Sequence, residues 1–192
     1  MNNEHQFPFE KLLSCGVNVF ISDKVEFRRP HFIEIGSNVS IDSGVYITSK
    51  AKIGNYVHIG PYVTCVGGES SRLVVGNFVT IAAGARLICL GEKHLGDGLI
   101  GPTIPADFVD ERIGGEIVLE DFASVGTNAI ILPGVTISRG SVVGAGSVIS
   151  QDTEPWKIYL GNPARIVRER PSHLMENYGL QLMKNIPEVS DH

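Results

Sequence analysis

A six-residue period constrains this chain more than any other feature of its sequence. One column of the period is filled with aliphatic side chains: Ile35, Ile41, Ile47, Ile53, Ile59, Val75, Ile81, Leu87, Leu119, Val125, Ile131, Ile137, Val143 and Ile149. Four positions after each of these residues the side chain is small or β-branched, as at Val39, Ala85 and Ser141. A period of two predicts a half-buried strand and a period near 3.6 predicts a helix. A period of six, with one large and one small inward residue, predicts a short strand followed by a corner.

Three such units return the chain to its starting direction, so the repeat predicts triangular coils. Successive coils stack at the strand spacing of roughly 4.8 Å and pair their backbones with the coils above and below. The hexads predict five coils, one of whose units is led by Cys65, and the less regular segment from Val17 to Ile33 predicts a sixth. The predicted fold class is therefore all-β, a parallel β-helix of hexapeptide repeats.

The repeat also divides the chain into segments. Residues 1–16 precede it and are predicted to form a cap with a short helix ending near Gly16. Residues 17–154 are predicted to form the β-helix, interrupted by an inserted loop at 90–116. Residues 155–192 are predicted to form a carboxy-terminal extension that contains a second short helix.

The final helix is predicted to begin near Pro171, because proline is tolerated in the first turn of a helix. We expect it to cap the end of the prism or to brace a neighbouring subunit. The apolar residues predicted on one side of it are Leu174, Met175, Tyr178 and Leu182.

The inserted loop reads "LGEKHLGDGLIGPTIPADFVDERIGGE". Loops of this length are uncommon in compact domains unless they are functional or disordered. Its apolar residues predict that it packs against something, for which a neighbouring subunit is a good candidate: Leu99, Ile100, Ile104 and Phe108.

Charge and cysteine content exclude several classes of protein. The formal net charge of −5 argues against a protein that binds the nucleic-acid backbone. No secretory signal is visible in the first twenty residues, and no apolar stretch is long enough to cross a bilayer. Cys15, Cys65 and Cys89 are odd in number and form no CxxC pair, which is typical of reduced thiols and predicts a cytoplasmic protein.

Two segments resemble a known family. They are "GEKHLGDG", and "VGTNAIILPGVTISRGSVVGAGSVIS" followed by "EPWKIYLGNPARIVRER". Together they resemble the hexapeptide acyltransferases that take acetyl groups from acetyl-CoA, including galactoside and xenobiotic O-acetyltransferases. The forms "GLIGPTIP" and "EPWKIYLGNPARIV" look similar to acetyltransferases of bacterial polysaccharide gene clusters, some of which N-acetylate nucleotide-linked amino sugars such as dTDP-4-amino-4,6-dideoxyglucose.

This resemblance extends from Ile35 to Arg170. It implies a left-handed β-helix, acetyl-CoA as co-substrate, and a homotrimer with active sites between its subunits. The long loop of one subunit would then reach over its neighbour.

The resemblance also assigns the chemistry to His94, which matches the family's loop histidine. An imidazole is suited to proton transfer at neutral pH, so His94 is the candidate general base. Glu92, Asp97 and Arg86 are the candidates for contacting the acceptor, and either acid is a candidate for orienting the imidazole. The alternative is that His94 and the two acids are solvated loop residues.

Coenzyme A is expected along the later coils. By family position Thr127, Ala145 and Ser150 would line its groove, and Arg165 and Arg168 match basic residues that meet its phosphates. The alternatives are that the first three are ordinary corner residues and that the two arginines belong to a solvated basic tail. No metal is expected.

One departure from the family bears on the acceptor. Gly84 stands where O-acetyltransferases of this type often carry an acceptor-binding asparagine. The sequence therefore favours transfer to the amino group of a nucleotide-linked amino sugar in O-antigen or capsule synthesis, with a sugar hydroxyl as the alternative acceptor.

Three rival interpretations are less well supported. A zinc enzyme of the γ-carbonic anhydrase type needs converging histidines, and no two of the six histidines are close in sequence. A Cys89–His94 acyl-enzyme conflicts with the expected burial of Cys89 inside a repeat. A non-catalytic rod or binding module leaves the histidine-bearing loop unexplained.

Overall fold

The computed structural model describes residues 6–184 and residue 186. The chain forms a prism of six stacked coils, each with three short strands, and all of the strand pairs between coils are parallel. The prediction of a parallel β-helix is thereby confirmed. Among the described residues no helix has the length and apolar character of a membrane span.

The first three coils lie between Ser14 and Val66. They contain β1 (Ser14–Cys15), β2 (Val19–Ile21), β3 (Glu26–Phe27), β4 (Ile33–Ile35), β5 (Val39–Ile41), β6 (Tyr46–Ile47), β7 (Lys50–Ile53), β8 (His58–Ile59) and β9 (Thr64–Val66). Short 3₁₀ turns lie at Phe9–Lys11 and Pro30–Phe32.

The inserted loop leaves the prism after the fourth coil. This coil contains β10 (Arg72–Val75), β11 (Thr80–Ile81) and β12 (Arg86–Ile88). The loop is an antiparallel hairpin of β13 (Leu90–Glu92) and β14 (Arg112–Gly114), with a 3₁₀ turn at Ala106–Phe108. The last two coils contain β15 (Ile117–Leu119), β16 (Ser124–Val125), β17 (Ile130–Ile131), β18 (Thr136–Ile137), β19 (Val142–Val143) and β20 (Val148–Ile149).

The three strands of each coil belong to three separate faces. Face 1 has the order β1-β4-β7-β10-β15-β18, face 2 continues from β2-β5-β8-β11-β16-β19 into two further strands, and face 3 has the order β3-β6-β9-β12-β17-β20. We call the corner between faces 1 and 2 the aromatic edge, that between faces 2 and 3 the glycine edge, and that between faces 3 and 1 the loop edge.

The core is the column of residues that the six-residue period selects. Ile41, Ile81, Leu87 and Ile131 are fully buried, and the small residues of the second column, such as Ala129, are buried with them. Because complete burial of a large aliphatic side chain contributes about 1.5–3 kcal/mol, a single file of such residues stabilises every coil of the prism.

The aromatic edge carries a stack of rings at positions that bulky residues seldom occupy. Tyr56, Phe78, Phe122 and Trp156 all have φ between 56° and 63°. The rings of Tyr56 and Phe78 stack at 5.1 Å and those of Phe78 and Phe122 at 5.0 Å, while the Trp156 ring lies over Gly140. Positive φ is a strained conformation for such residues, and the contacts along the stack offset it.

A polar ladder runs beside these rings. The backbone N–H of Asn55 donates to Asn77 Oδ1 at 2.9 Å, and the N–H of Asn77 donates to Asp121 Oδ1 at 2.7 Å. Each side chain thus satisfies the backbone of the coil before it, so the ladder ties successive corners together.

The carboxy-terminal extension is more regular than predicted. After the last coil, β21 (Lys157–Gly161) joins face 2 beside β19, and β22 (Ala164–Glu169) pairs with β21 in the antiparallel direction. The hexad column had ended at Ile149, so the six-residue period carried no signal for these two strands.

The helix α1 (His173–Met183) lies against the aromatic edge instead of capping the end of the prism. Its buried residue is Gly179, where a Cβ would come within 2.5 Å of the Phe122 ring. Leu174, Tyr178 and Leu182, predicted on one apolar side, are all exposed. The expectation of an end cap was therefore wrong. The helix packs on the Phe122 ring through Gly179, whose lack of a side chain allows the close approach.

The amino-terminal segment also differs from its prediction. Among the described residues it contains one 3₁₀ turn at Phe9–Lys11 in place of a helix ending near Gly16, and the first coil begins earlier, at Ser14. The rings of Phe7 and Phe27 meet edge to face at 5.1 Å. Burying Phe7 against the open end of the core holds this segment extended, which a helix would not allow.

Candidate active site

The predicted site residues fall into two groups, which begin at opposite edges of face 3. His94, Glu92 and Asp97 belong to the hairpin that leaves the loop edge, whereas Thr127 and Ala145 lie at the glycine edge. No hydrogen bond or ion pair joins the two groups among the described residues. One chain by itself therefore does not bring the predicted base to the predicted coenzyme groove.

His94 is an exposed residue with φ of 57°, just beyond strand β13. Its imidazole has no hydrogen-bond partner within residues 6–184, so neither Glu92 nor Asp97 orients it in the single chain. The neighbouring Lys93 forms an ion pair with Glu111 on the other arm of the hairpin, and this contact raises the pKa of Lys93. The base of the hairpin is thus fixed while the imidazole remains free.

The hairpin also contains a buried carboxylate that the sequence analysis did not single out. Asp110 is 3% exposed, and its Oδ1 accepts the backbone N–H of Glu111 at 2.7 Å. Its Oδ2 is buried with no hydrogen-bond partner among the described residues. A buried acceptor without a partner is uncommon, and the only sequence signal for it was the acidic run that contains it.

The glycine edge is open where the predicted coenzyme residues lie. Thr127 and Ala145 are both exposed and occupy equivalent corners of the fifth and sixth coils. The N–H of Gly146 donates to the Thr127 carbonyl at 2.8 Å, and nothing lies within 4 Å of the space where a Gly146 Cβ would be. An elongated ligand could therefore approach the backbone closely at this corner.

Asn128 occupies the same edge and was missed by the sequence analysis. Its Oδ1 fills the space that a side chain at Gly84 would need. The departure from the family pattern at Gly84 therefore has a physical reason, since the next coil supplies an amide side chain at this point. Asn128 could have been found by aligning the fourth and fifth coils with each other. The inserted loop between these two coils hides that alignment in the sequence.

Arg86 also reaches this corner, although its backbone belongs to face 3. The guanidinium donates to the Tyr62 carbonyl at 2.7 Å and to Thr64 Oγ1 at 3.3 Å. The side chain is exposed, so its other N–H groups remain available to a ligand at the glycine edge.

The structure brings Ser150 and Arg165 together at the end of the prism. Both line a cavity of about 510 Å³, together with Gln151, Tyr159 and Ile166. Arg168 lies further along β22, beside Ile158, and does not line this cavity. Of the two predicted phosphate-binding arginines, Arg165 alone faces the cavity in the single chain.

A histidine–aspartate contact on face 2 forms a further candidate group. His58 Nε2 lies 2.9 Å from Asp42 Oδ2, and both side chains are accessible to solvent. The two residues come from successive coils, so the pair could have been found only by aligning the coils and comparing outward positions. The carboxylate fixes the orientation of the His58 ring.

The thiol and zinc alternatives find no support in the structure. Cys89 is fully buried, and its Sγ lies 3.6 Å from that of Cys65. The hydrogen bond with Cys65 lowers the pKa of Cys89, but its complete burial in the core keeps the thiol away from any acyl donor. Among the described residues no three histidine, cysteine or acidic side chains are grouped as metal ligands would be.

Comparison with known proteins places the chain in a family. The family model "Bacterial transferase hexapeptide (six repeats)" matches residues 32–67. The dTDP-4-amino-4,6-dideoxy-D-glucose acyltransferase of Escherichia coli is 28% identical over 166 residues, which is 85% of each chain. A mutant of AntD, an N-acyltransferase from Bacillus cereus in complex with dTDP-4-amino-4,6-dideoxyglucose and coenzyme A, superposes with a TM-score of 0.87 at 31% identity, over 95% of this chain and 100% of that one.

The chain is a hexapeptide-repeat acyltransferase. The chloramphenicol acetyltransferase of Agrobacterium fabrum is also similar, at 33% identity over 112 residues, but only 53% of each chain is covered. The similarity to AntD, by contrast, covers 95% of this chain and all of the AntD chain.

Proposed function

We propose that this acyltransferase transfers an acetyl group from acetyl-CoA to the amino group of a dTDP-linked 4-amino-4,6-dideoxy sugar. One observation carries the proposal: the match to AntD in complex with that amino sugar and coenzyme A extends over 95% of the chain. The sugar product would enter O-antigen or capsule synthesis in the cytoplasm.

The coenzyme is proposed to lie along the glycine edge and the end of the prism. Thr127 and Ala145 are accessible there, and the free space at Gly146 lets a pantetheine arm approach the backbone. Ser150 and Arg165 line the cavity above them, where a guanidinium suits the phosphates of coenzyme A. Arg168, outside the cavity, is proposed to meet the phosphates from β22.

His94 is proposed to act from a neighbouring subunit of a homotrimer. In the single chain the hairpin exposes a set of apolar side chains, which a neighbour would cover: Leu95, Leu99, Ile100, Phe108 and Ile113. Exposed apolar patches of this kind mark interaction surfaces. Because His94 and the glycine edge start from opposite edges of face 3, a second copy is the simplest way to join them.

The chemistry needs one base and one donor. The acceptor amine attacks the thioester carbonyl, the C–S bond breaks, and coenzyme A leaves as the thiolate, which is protonated to the thiol by the proton that the amine gives up. His94 is placed to take the proton that the amine loses, and Glu92 and Asp97 on the same hairpin are proposed to bind the amino sugar or orient the imidazole. Backbone N–H groups of an open corner suit the developing oxyanion.

Thiol release from acetyl-CoA, measured against dTDP- and UDP-linked amino sugars and their hydroxyl counterparts, tests this proposal. We expect turnover with a dTDP-linked amino sugar, none with the hydroxyl set, and a trimer in analytical ultracentrifugation. Turnover with hydroxyl sugars alone would identify an O-acetyltransferase and contradict the proposal. AntD is also known in complex with 3-hydroxybutyryl-CoA, so the assay should include that thioester to establish the acyl group.

A further inference from the structure

A second groove lies on face 2, over the first three coils and away from the predicted coenzyme residues. It has a volume of about 480 Å³, and its lining includes Asn18, Phe20, Asn38, Ser40 and His58. None of these residues was a candidate in the sequence analysis. The groove belongs to the same face that ends, two coils further on, beside the corner occupied by Thr127.

The outward column of face 2 shapes this groove into a slot. Phe20 is paired in register with Ser40, and Ser40 with His58. The sequence of side chains along the column is therefore a ring, a small residue and a ring. Two strand spacings separate the rings at about 10 Å between Cα atoms, which leaves room for one planar base at stacking distance from both.

Both rings are available for stacking. Phe20 is 43% exposed, which is unusual for a phenylalanine on an otherwise polar part of the face. The His58 ring is held by Asp42, so it does not need to be ordered by a ligand. Pre-ordering of this kind lowers the entropic cost of binding.

A pair of amides borders the slot on the side of the aromatic edge. Asn18 Nδ2 donates to Asn38 Oδ1 at 2.7 Å. This leaves Asn18 Oδ1 as an acceptor and Asn38 Nδ2 as a donor, neither with another partner among residues 6–184. The free edge of thymine or uracil presents one N–H donor between two carbonyl acceptors, which complements such a pair.

We propose that this slot binds the pyrimidine base of the nucleotide-linked acceptor, between Phe20 and His58 and against the Asn18–Asn38 pair. The inference rests on the proposed function for the identity of the nucleotide. Beyond His58 the column continues with Thr80 and Ser124, whose small side chains leave a shallow channel toward Thr127. The two strand spacings from His58 to the fifth coil, about 10 Å, match the reach of a diphosphate and a hexose.

Titration calorimetry with dTDP alone tests the slot without requiring turnover. Ser40→Phe fills the space between the rings, and we expect it to weaken dTDP binding at least tenfold, whereas Ser40→Ala keeps the slot open and binds like the wild type. Phe20→Ala removes one stacking partner and should weaken binding about tenfold, within the range for loss of base–aromatic stacking. Leu13→Ala, at a similarly exposed apolar residue of the same coil on another face, is its matched control.

The outcomes separate the slot from the proposed function. If Ser40→Phe and Phe20→Ala both bind dTDP like the wild type, the slot is overturned, even if the enzyme acylates a dTDP-linked amino sugar. If the two variants lose dTDP affinity but the wild type acylates no amino sugar, the slot stands and the proposed function is overturned. Steady-state kinetics should show the same two variants raising the KM for the nucleotide sugar and leaving the KM for acetyl-CoA unchanged.

Discussion

The aromatic edge and the loop edge are two corners of the same coils, but they are built in opposite ways. At the aromatic edge three rings stack with a tilted tryptophan beside them, a polar ladder satisfies the backbone, and α1 covers the outside through Gly179. At the loop edge the chain leaves the prism, and its hairpin exposes His94 and a row of apolar side chains. The comparison indicates that stability is concentrated at one edge, which allows another edge to carry reactive groups.

Removal of the loop imidazole should have the largest effect on activity. We expect His94→Ala to lower kcat by about 10²–10⁴, the usual range for loss of a general base, because the variant has no imidazole to take the proton from the acceptor amine. The melting temperature should stay unchanged, since the imidazole makes no hydrogen bond within the described chain.

His173→Ala, at another exposed histidine, is the control for this variant and should retain full activity. A His94→Ala enzyme with nearly the wild-type rate would mean that the acceptor amine loses its proton to water and that the loop only shields the site.

Loss of a ring from the aromatic edge should have the largest effect on stability. Phe122 is 5% exposed and lies between Phe78 and Trp156 in the stack. Phe122→Ala should lower the free energy of unfolding by about 3–5 kcal/mol, the range for truncating a buried aromatic residue. Chemical denaturation measures this loss directly.

The matched control is Tyr178→Ala, because the Tyr178 ring is exposed on α1. This truncation should change the free energy of unfolding by less than about 0.5 kcal/mol. Equal losses from the two variants would contradict the assignment of the stack as the stabilising element.

A smaller effect is expected where α1 meets the rings. Gly179→Ala improves intrinsic helix propensity by up to about 1 kcal/mol, yet its Cβ would overlap the Phe122 ring. We expect the overlap to dominate and to cost about 1–3 kcal/mol, as overpacking usually does. Hydrogen exchange should then show faster exchange in α1, whereas Leu180→Ala, on the exposed side, should leave it protected.

The smallest effect is expected at the charged contacts of the same edge. Arg139 lies 3.2 Å from Asp121, 3.5 Å from Glu176 and 4.9 Å from the centre of the Phe122 ring. Because the side chain is partly exposed, Arg139→Ala should cost only about 1 kcal/mol, and the loss should shrink at high salt. A loss that is independent of salt would show that the guanidinium acts by packing on the ring and not by its charge.

The six-residue period was sufficient to predict the core of this molecule. Ile41, Leu87 and Ile131 recur at fixed spacing because each coil repeats the same inward position, so the sequence alone identifies them. The position of the inserted hairpin was predicted for the same reason, as the place where the period stops.

Contacts between coils were harder to predict. Asp42 meets His58, and Asn128 covers Gly84, through outward or corner positions that the hydrophobic period does not mark. Strands β21 and β22 lie beyond the last hexad, where β21 still adds in parallel to β19 and the chain then reverses direction into β22. The assignment of His94 as the base remains a prediction, because it depends on a neighbouring subunit that the sequence does not describe.

The antiparallel strand β22 has a consequence for how long such a prism can grow. A coil ending in a parallel strand offers the same pattern of hydrogen-bonding groups as the coil before it, so another molecule could add its first coil and extend the stack into a filament. On face 2 the outermost strand runs in reverse and carries Arg165, Arg168 and Glu169. On this face, the reversed strand and its charges do not match the first coil of another copy, so they disfavour the addition of a further coil there.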